Sequence, residues 1–148
     1  MTDVNKQLML RAIQLGEQAR DKTGDNPWVG CIIVNDGQVL GEGYTRAVGE
    51  PHAELEAIQH AEAKGHSLAG STLYCTVEPC SFHGRTPSCA KTIVEKNISH
   101  VVIAIRDPHP KVNGEGIRIL KEGGISVTEG IEELAVRRSL KTWLKEYE

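Results

Sequence analysis

Val29-Gly30-Cys31-Ile32-Ile33-Val34-Asn35-Asp36-Gly37-Gln38-Val39-Leu40-Gly41-Glu42-Gly43-Tyr44 holds two strand-like runs around one turn signal, and the architecture is read outward from it. Residues 29–34 and 38–44 read as two short strands, joined by the turn residues Asn35-Asp36-Gly37. Toward the N-terminus, Thr23-Gly24-Asp25-Asn26-Pro27 breaks the chain. Before that break, residues 4–20 place Leu8, Ala12, Leu15 and Ala19 at helical spacing. Toward the C-terminus, Leu55, Ile58 and Ala61 predict a helix over 53–63 closed by Gly65. A strand over 71–77 follows, then a helix that starts at Thr86-Pro87, with Thr as cap and Pro in the first helical position, and runs to about Lys96. Residues 101–105 are apolar enough for a strand buried on both faces. Residues 116–122 read as a helix, 125–128 as a strand and 131–147 as one final helix. A hairpin followed by alternating helices and strands predicts a mixed sheet covered by helices on both faces, the α/β class.

The chain has 148 residues, the size of one domain, and shows no repeat or long linker. With one Phe, two Trp and three Tyr, its core must rest on Ile, Val, Leu and Ala. The net charge of −3 argues against general nucleic-acid binding, which needs a basic face, but leaves room for a local pocket holding one phosphate. Asp3, Lys6, Arg11 and Glu17 interrupt the apolar residues of the N-terminus, so neither a signal peptide nor a membrane span is expected. A cytoplasmic setting follows as the expectation. There the four cysteines serve as metal ligands or buried core rather than as disulfides.

His52 in Pro51-His52-Ala53-Glu54, Cys80 in Glu78-Pro79-Cys80 and Cys89 in Pro87-Ser88-Cys89 are the candidate metal ligands. One imidazole and two thiolates suit zinc, and three protein ligands leave a fourth position for water. Such a zinc lowers the pKa of its water to roughly 7. Glu54, two residues from the histidine, is the candidate group that carries the proton onward. Residues i and i+2 of a regular helix point about 200° apart. His52 and Glu54 can therefore share a pocket only at a helix entrance. Cys89 is expected in the first turn of its helix, where the dipole favours a thiolate. Cys31 and Cys75 read as buried core. His60, His66, His83, His100 and His109 have no ligand partner at recognisable spacing, and most are expected to be solvated.

His-x-Glu, then Pro-Cys, then a second Cys, each at a strand-to-helix junction, matches the zinc deaminase pattern. Asn26-Pro27 with Val29-Gly30-Cys31, Gly49-Glu50-Pro51-His52-Ala53-Glu54, Glu78-Pro79-Cys80-Ser81, Gly84-Arg85-Thr86-Pro87 and Asp107-Pro108 narrow the match. Over residues 5–135 the chain resembles the pyrimidine deaminases of riboflavin biosynthesis. Nucleoside, cytosine and tRNA adenosine deaminases typically carry Pro-Cys-x-x-Cys, whereas eight residues separate Cys80 from Cys89, as in the riboflavin group.

The resemblance implies a cytidine deaminase-like α/β/α sandwich with a five-stranded mixed sheet. It implies hydrolytic removal of the 2-amino group from a 2,5-diamino-pyrimidinone bearing a ribosylamino or ribitylamino 5′-phosphate. Asn26 then contacts the substrate or serves as a turn residue before Pro27. Arg85 contacts the phosphate or is an exposed loop cation. Ser81, beside the first cysteine, joins them as a candidate substrate contact. Lys111 and Gly114-Glu115-Gly116 form a pocket rim or a structural loop. Many bacterial members carry His where this chain has Thr45 and Phe82, so both positions bear on substrate choice. Phe82 and His83 stack on a pyrimidine or pack under the loop, and a fungal-type enzyme acting on the ribityl substrate is one account of the differences. A homodimer and a separate reductase are the implied partners. The last helix, with Leu140, Trp143 and Leu144, either joins two copies or packs on its own sheet, the simpler reading. The rival readings are a deaminase of another base or nucleoside and a non-catalytic zinc-stabilised partner of a reductase.

Overall fold

The structure is a computed structural model that describes residues 2–20, 27–46, 52–80, 89–108 and 113–145. In chain order its elements are α1 (Thr2–Glu17), β1 (Gly30–Asn35), β2 (Gln38–Tyr44), α2 (Ala53–Ala63), β3 (Thr72–Val77), α3 (Cys89–Glu95), β4 (His100–Ile105), α4 (Glu115–Glu122), β5 (Ser126–Thr128), α5 (Glu133–Ser139) and α6 (Lys141–Leu144). The hairpin forms as read: Asn35 pairs with Gln38. Asp36 and Gly37 between them have φ of 51° and 78°, the two positive values of the tight turn that matches strand twist.

The strands form one sheet in the order β2-β1-β3-β4-β5. β1 runs antiparallel to β2 and β3, while β3, β4 and β5 are mutually parallel. Period-two alternation sends each strand's side chains to opposite faces. Cys31, Ile33, Leu73, Cys75, Val101 and Ile103 face one core, which α2, α3 and α4 complete through Ala57, Ala90, Ile93, Ile117 and Leu120. Ile32, Tyr74, Val102 and Ala104 face the other, closed by Met9, Ala12 and Leu15 of α1 and by Val136, Leu140 and Trp143. The three layers and five mixed strands are those expected.

Two helices lie on the sheet backbone to backbone. A Cβ at Gly43 would stand 2.5 Å from the carbonyl oxygen of Ala53, so only glycine lets the start of α2 sit this low on β2. A Cβ at Gly30 would stand 1.7 Å from the Ala12 carbonyl oxygen of α1. Overpacking of this kind costs about 3 kcal/mol. Gly30→Ala is therefore expected to lower the melting temperature by about 10 °C, at roughly 2–4 °C per kcal/mol for a domain of this size. Calorimetry on the two proteins checks this.

One expected element is corrected. Residues 131–147 do not form a single helix: Glu132 is left-handed at φ 58°, which delays the start to Glu133, and α5 and α6 are separated at Leu140 (φ −98°, ψ 16°). The break follows Ser139, whose hydroxyl donates to Glu17 Oε1 at 2.6 Å and accepts from the Trp28 indole at 3.3 Å. Those bonds tie α5 to α1 while Leu140 and Trp143 turn into the core at 1% and 5% exposure. Both residues pack within their own chain, as the simpler reading held. No described helix is long and apolar enough to cross a membrane. Thr86-Pro87, the expected start of α3, lies outside the described residues.

Candidate active site

Three chain segments converge beyond the carboxyl end of β3. β3 ends at Val77, and Glu78-Pro79 carries the chain to Cys80. α2 presents His52 as its N-cap, and Cys89 is the first residue of α3. Their donor atoms all lie within 4.8 Å of one another. His52 Nδ1 is 3.6 Å from Cys80 Sγ and 3.4 Å from Cys89 Sγ.

These distances test whether zinc fits. With Zn–N near 2.1 Å and Zn–S near 2.3 Å, a tetrahedral site sets nitrogen and sulfur about 3.6 Å apart. The observed nitrogen–sulfur edges match that figure, so the three residues form a potential zinc site with one imidazole nitrogen and two sulfurs.

His52 and Glu54 share this pocket because His52 precedes the helix. Its φ of −69° and ψ of 165° are extended, so the 200° rule for residues inside a helix does not apply to the pair. Glu54 sits in the first turn of α2 at 4% exposure and hydrogen-bonds the Cys89 side chain. Burial first, then the negative charge of Cys80, pushes its carboxyl up to about 7, against the pull of His52. A carboxyl with that value can both accept and donate a proton at neutral pH.

The two sulfurs are not equivalent. The Cys89 backbone N–H donates to Cys80 Sγ at 3.2 Å, so the amino end of α3 serves the sulfur of Cys80 rather than that of Cys89 itself. The bond to the Cys89 side chain holds Cys80 down to about 4, with burial opposing and His52 assisting. Cys89 is pushed the other way by its bond to Cys80 and by burial. The bond to Cys80 raises the imidazole of His52 to about 9 against the effect of burial. The helix-end argument, made for a thiolate at Cys89, therefore applies to Cys80 instead, whose sulfur accepts from the first amide of α3.

Beneath this cluster, Cys31 and Cys75 are in register on β1 and β3, both fully buried. Burial pushes the Cys31 thiol up, and the Cys31 hydrogen bond pushes Cys75 up further. They are core, as expected. Of the other histidines, His60 is exposed and accepts at Nδ1 from the Glu42 N–H at 3.0 Å. His66 and His100 are half-buried, and His100 Nε2 lies 2.8 Å from Thr128 Oγ1. The solvated reading fits His60 best.

Thr45 uses its hydroxyl on the backbone, accepting from Val29 N–H at 3.0 Å and donating to the Val29 carbonyl at 3.4 Å. Gly114-Glu115-Gly116 forms the entrance of α4. Asn26, Ser81, Phe82, Arg85, His83, His109 and Lys111 lie outside the described residues.

Sequence reading missed Glu78. It is 4% exposed, and its carboxylate accepts from backbone amides that include Asp107 at 3.2 Å, Gly114 at 3.0 Å and Ile117 at 3.1 Å. Its signal was present: a glutamate between a buried strand end and Pro79, two residues before a metal ligand.

Comparison with known proteins agrees with this geometry. Residues 2–105 match the cytidine and deoxycytidylate deaminase zinc-binding region. The riboflavin biosynthesis protein RibD of Escherichia coli strain K12 is 42% identical over 93% of the chain, which spans 36% of that protein's length. A diaminohydroxyphosphoribosylamino-pyrimidine deaminase of Buchnera aphidicola subsp. Schizaphis graminum is 43% identical over 83% of the chain and 82% of that protein. The RibD structure of Acinetobacter baumannii superposes with a TM-score of 0.93 at 40% identity, over 99% of this chain and 40% of that one. With three donors at zinc spacing, a buried glutamate beside them and relatives of this kind, the chain belongs to the family of zinc-binding cytidine and deoxycytidylate deaminases, in its riboflavin-biosynthesis group.

Proposed function

We propose that the chain hydrolyses the 2-amino group of 2,5-diamino-6-(5-phosphoribosylamino)-pyrimidinone, releasing ammonia and leaving the uracil. One observation carries the reading. The donor set of His52, Cys80 and Cys89 matches the edges of a zinc tetrahedron, and the Glu54 carboxyl is buried against one of its sulfurs. The choice of a ribosyl over a ribityl substrate rests on the Buchnera relative, whose name specifies the phosphoribosyl compound.

Zinc, when bound, acts as a Lewis acid that makes water nucleophilic at neutral pH. His52, Cys80 and Cys89 hold it, with the α3 amide stabilising charge on the Cys80 sulfur. Glu54 takes one proton from the attacking water and delivers it to a ring nitrogen as the carbon–oxygen bond forms. It then takes the remaining proton of the added hydroxyl and passes it to the amine as the carbon–nitrogen bond breaks, so one water enters and one ammonia leaves.

Asn26, Ser81, Phe82 and Arg85 are the substrate contacts we assign to the pocket. Thr45 acts there indirectly, by pinning Val29 in the segment that follows Asn26. A cytoplasmic homodimer working with a separate reductase completes the reading.

The purified chain should release ammonia from the phosphorylated diaminopyrimidinone and leave cytidine, cytosine and guanine unchanged. Ammonia from those three alone rejects the riboflavin substrate. Parallel assays with the ribosyl and ribityl compounds decide between them.

A further inference from the structure

Cys31 and Cys75 are the two thiols that deamination does not use. They are partners in the antiparallel pairing of β1 with β3, free and fully buried, in the core that α2, α3 and α4 complete. The kind of pairing follows from the backbone. Thr45 N–H, just past β2, donates to the Val29 carbonyl at 3.0 Å, so residue 29 turns its polar groups toward β2. Gly30 N–H points the other way, to Thr76 Oγ1 of β3 at 3.2 Å. Alternation along the strand then sends the N–H and carbonyl of Cys31 to β2 and those of Ile32 to β3. Cys31 therefore faces Cys75 across a pair without backbone hydrogen bonds. In such a pair the Cα atoms stand about 4.5 Å apart and the side chains lie closest. That spacing falls inside the window of about 4.4–6.8 Å that a disulfide spans. The two thiols already hydrogen-bond each other.

The starts of two helices cover the pair. Gly43 is the β2 partner of Cys31, and α2 lies on Gly43 through Ala53, whose carbonyl oxygen leaves no room there for a Cβ. Ala90 of α3 belongs to the same packed core. Ala53 follows His52 and Ala90 follows Cys89, so both covering residues are chain neighbours of zinc ligands. Ala90 N–H also donates to the Cys80 carbonyl at 3.1 Å, which ties α3 to the third ligand. Zinc held by those ligands fastens both helix starts to one point and keeps the thiols from solvent.

We propose that Cys31 and Cys75 are a latent dithiol: when the metal leaves, a peroxide closes them into a disulfide across β1 and β3. One sulfur attacks a peroxide oxygen, and an S–O bond forms as the O–O bond breaks. The sulfenic acid results, and the thiol proton departs in the first water. The second sulfur then attacks the sulfenic sulfur, the S–O bond breaks and a second water leaves. Two thiols together give up two electrons, and one peroxide is reduced to two waters. The cross-link holds β1 against β3 until a thiol reductant reopens it. The gate rests on the metal-site reading, whereas the pairing of the two thiols does not.

The parent chain loaded with zinc and the same chain stripped by a chelator, each exposed to hydrogen peroxide, test this. Remaining thiols are alkylated, and tandem mass spectrometry of the digest locates each linked pair. The stripped chain should yield peptides joined through Cys31 and Cys75 that dithiothreitol separates. Zinc at a hundred times its dissociation constant lowers the population of any form that has released it about a hundredfold. The same link should therefore form at least about tenfold more slowly in the loaded chain. Alkylated Cys31 and Cys75 in the stripped, oxidised chain, or linkage of either to Cys80 or Cys89 instead, overturns the proposal. So does an equal rate with and without zinc. Zinc content and ammonia release of the unoxidised parent report separately on the metal site and on the deaminase reading.

Discussion

Glu54→Gln is expected to lower turnover by at least ~10²-fold, the low end for a positioned acid–base group, while zinc content and melting temperature stay those of the parent. The substitution is close to isosteric, so the first turn of α2 and its contact with Cys89 survive. What is lost is proton transfer. The parent carboxyl, raised to about 7 by burial and by Cys80, can exchange a proton with water and then with the leaving amine. An amide does neither. Steady-state ammonia release with elemental analysis of the same sample checks both halves. Parent-like turnover would reject the role of Glu54, whereas no turnover by the parent itself would return the chain to the reading of a non-catalytic zinc module.

The second large effect is expected from Cys89→Ser. Serine replaces a sulfur donor with a poorly acidic hydroxyl at the fully buried first position of α3, leaving zinc with one nitrogen and one sulfur. Zinc should be absent from the purified variant, and ammonia release should fall to background. Stability provides an independent readout. A ligand at a hundred times its dissociation constant adds about 2.7 kcal/mol to the folded state, which for a chain of this size raises melting by about 5–10 °C. The parent should lose that increment on addition of a chelator, and the variant should show no response. A chelator-sensitive melting temperature in Cys89→Ser would show that the metal is held elsewhere.

The parts legible in the sequence share a physical cause: they depend on local chemistry. Asp36 and Gly37 declare a tight turn because few residue pairs accept two positive φ values in succession. α2 runs from Ala53 to Ala63 as read, with Gly65 at φ 86° just past its end. His52, Cys80, Cys89 and Glu54 were legible because their residue types are those zinc and proton transfer require. Glu78 was not, because its partners are backbone amides 29, 36 and 39 residues away, and any residue except proline presents the same N–H. The break at Leu140 escaped for a related reason. Residues 131–147 have helical spacing, and what interrupts the helix is Ser139 bonding to Glu17 and Trp28, more than 100 residues back.

The three donors also record how the chain assembles. His52 is 28 residues from Cys80 and 37 from Cys89, and the whole of α2 and β3 lies between. In an unfolded chain, bringing them together means closing a loop of 28 residues from His52 to Cys80 and one of 9 from Cys80 to Cys89 before any contact offsets the lost entropy. A Cys-x-x-Cys pair could grip a metal while the rest of the chain is still disordered. Here the wide spacing withholds the complete set until β3 has paired and α2 and α3 have docked. Zinc capture therefore reports completed assembly, and the ion discriminates between folded and unfolded chains through topology as much as through ligand chemistry.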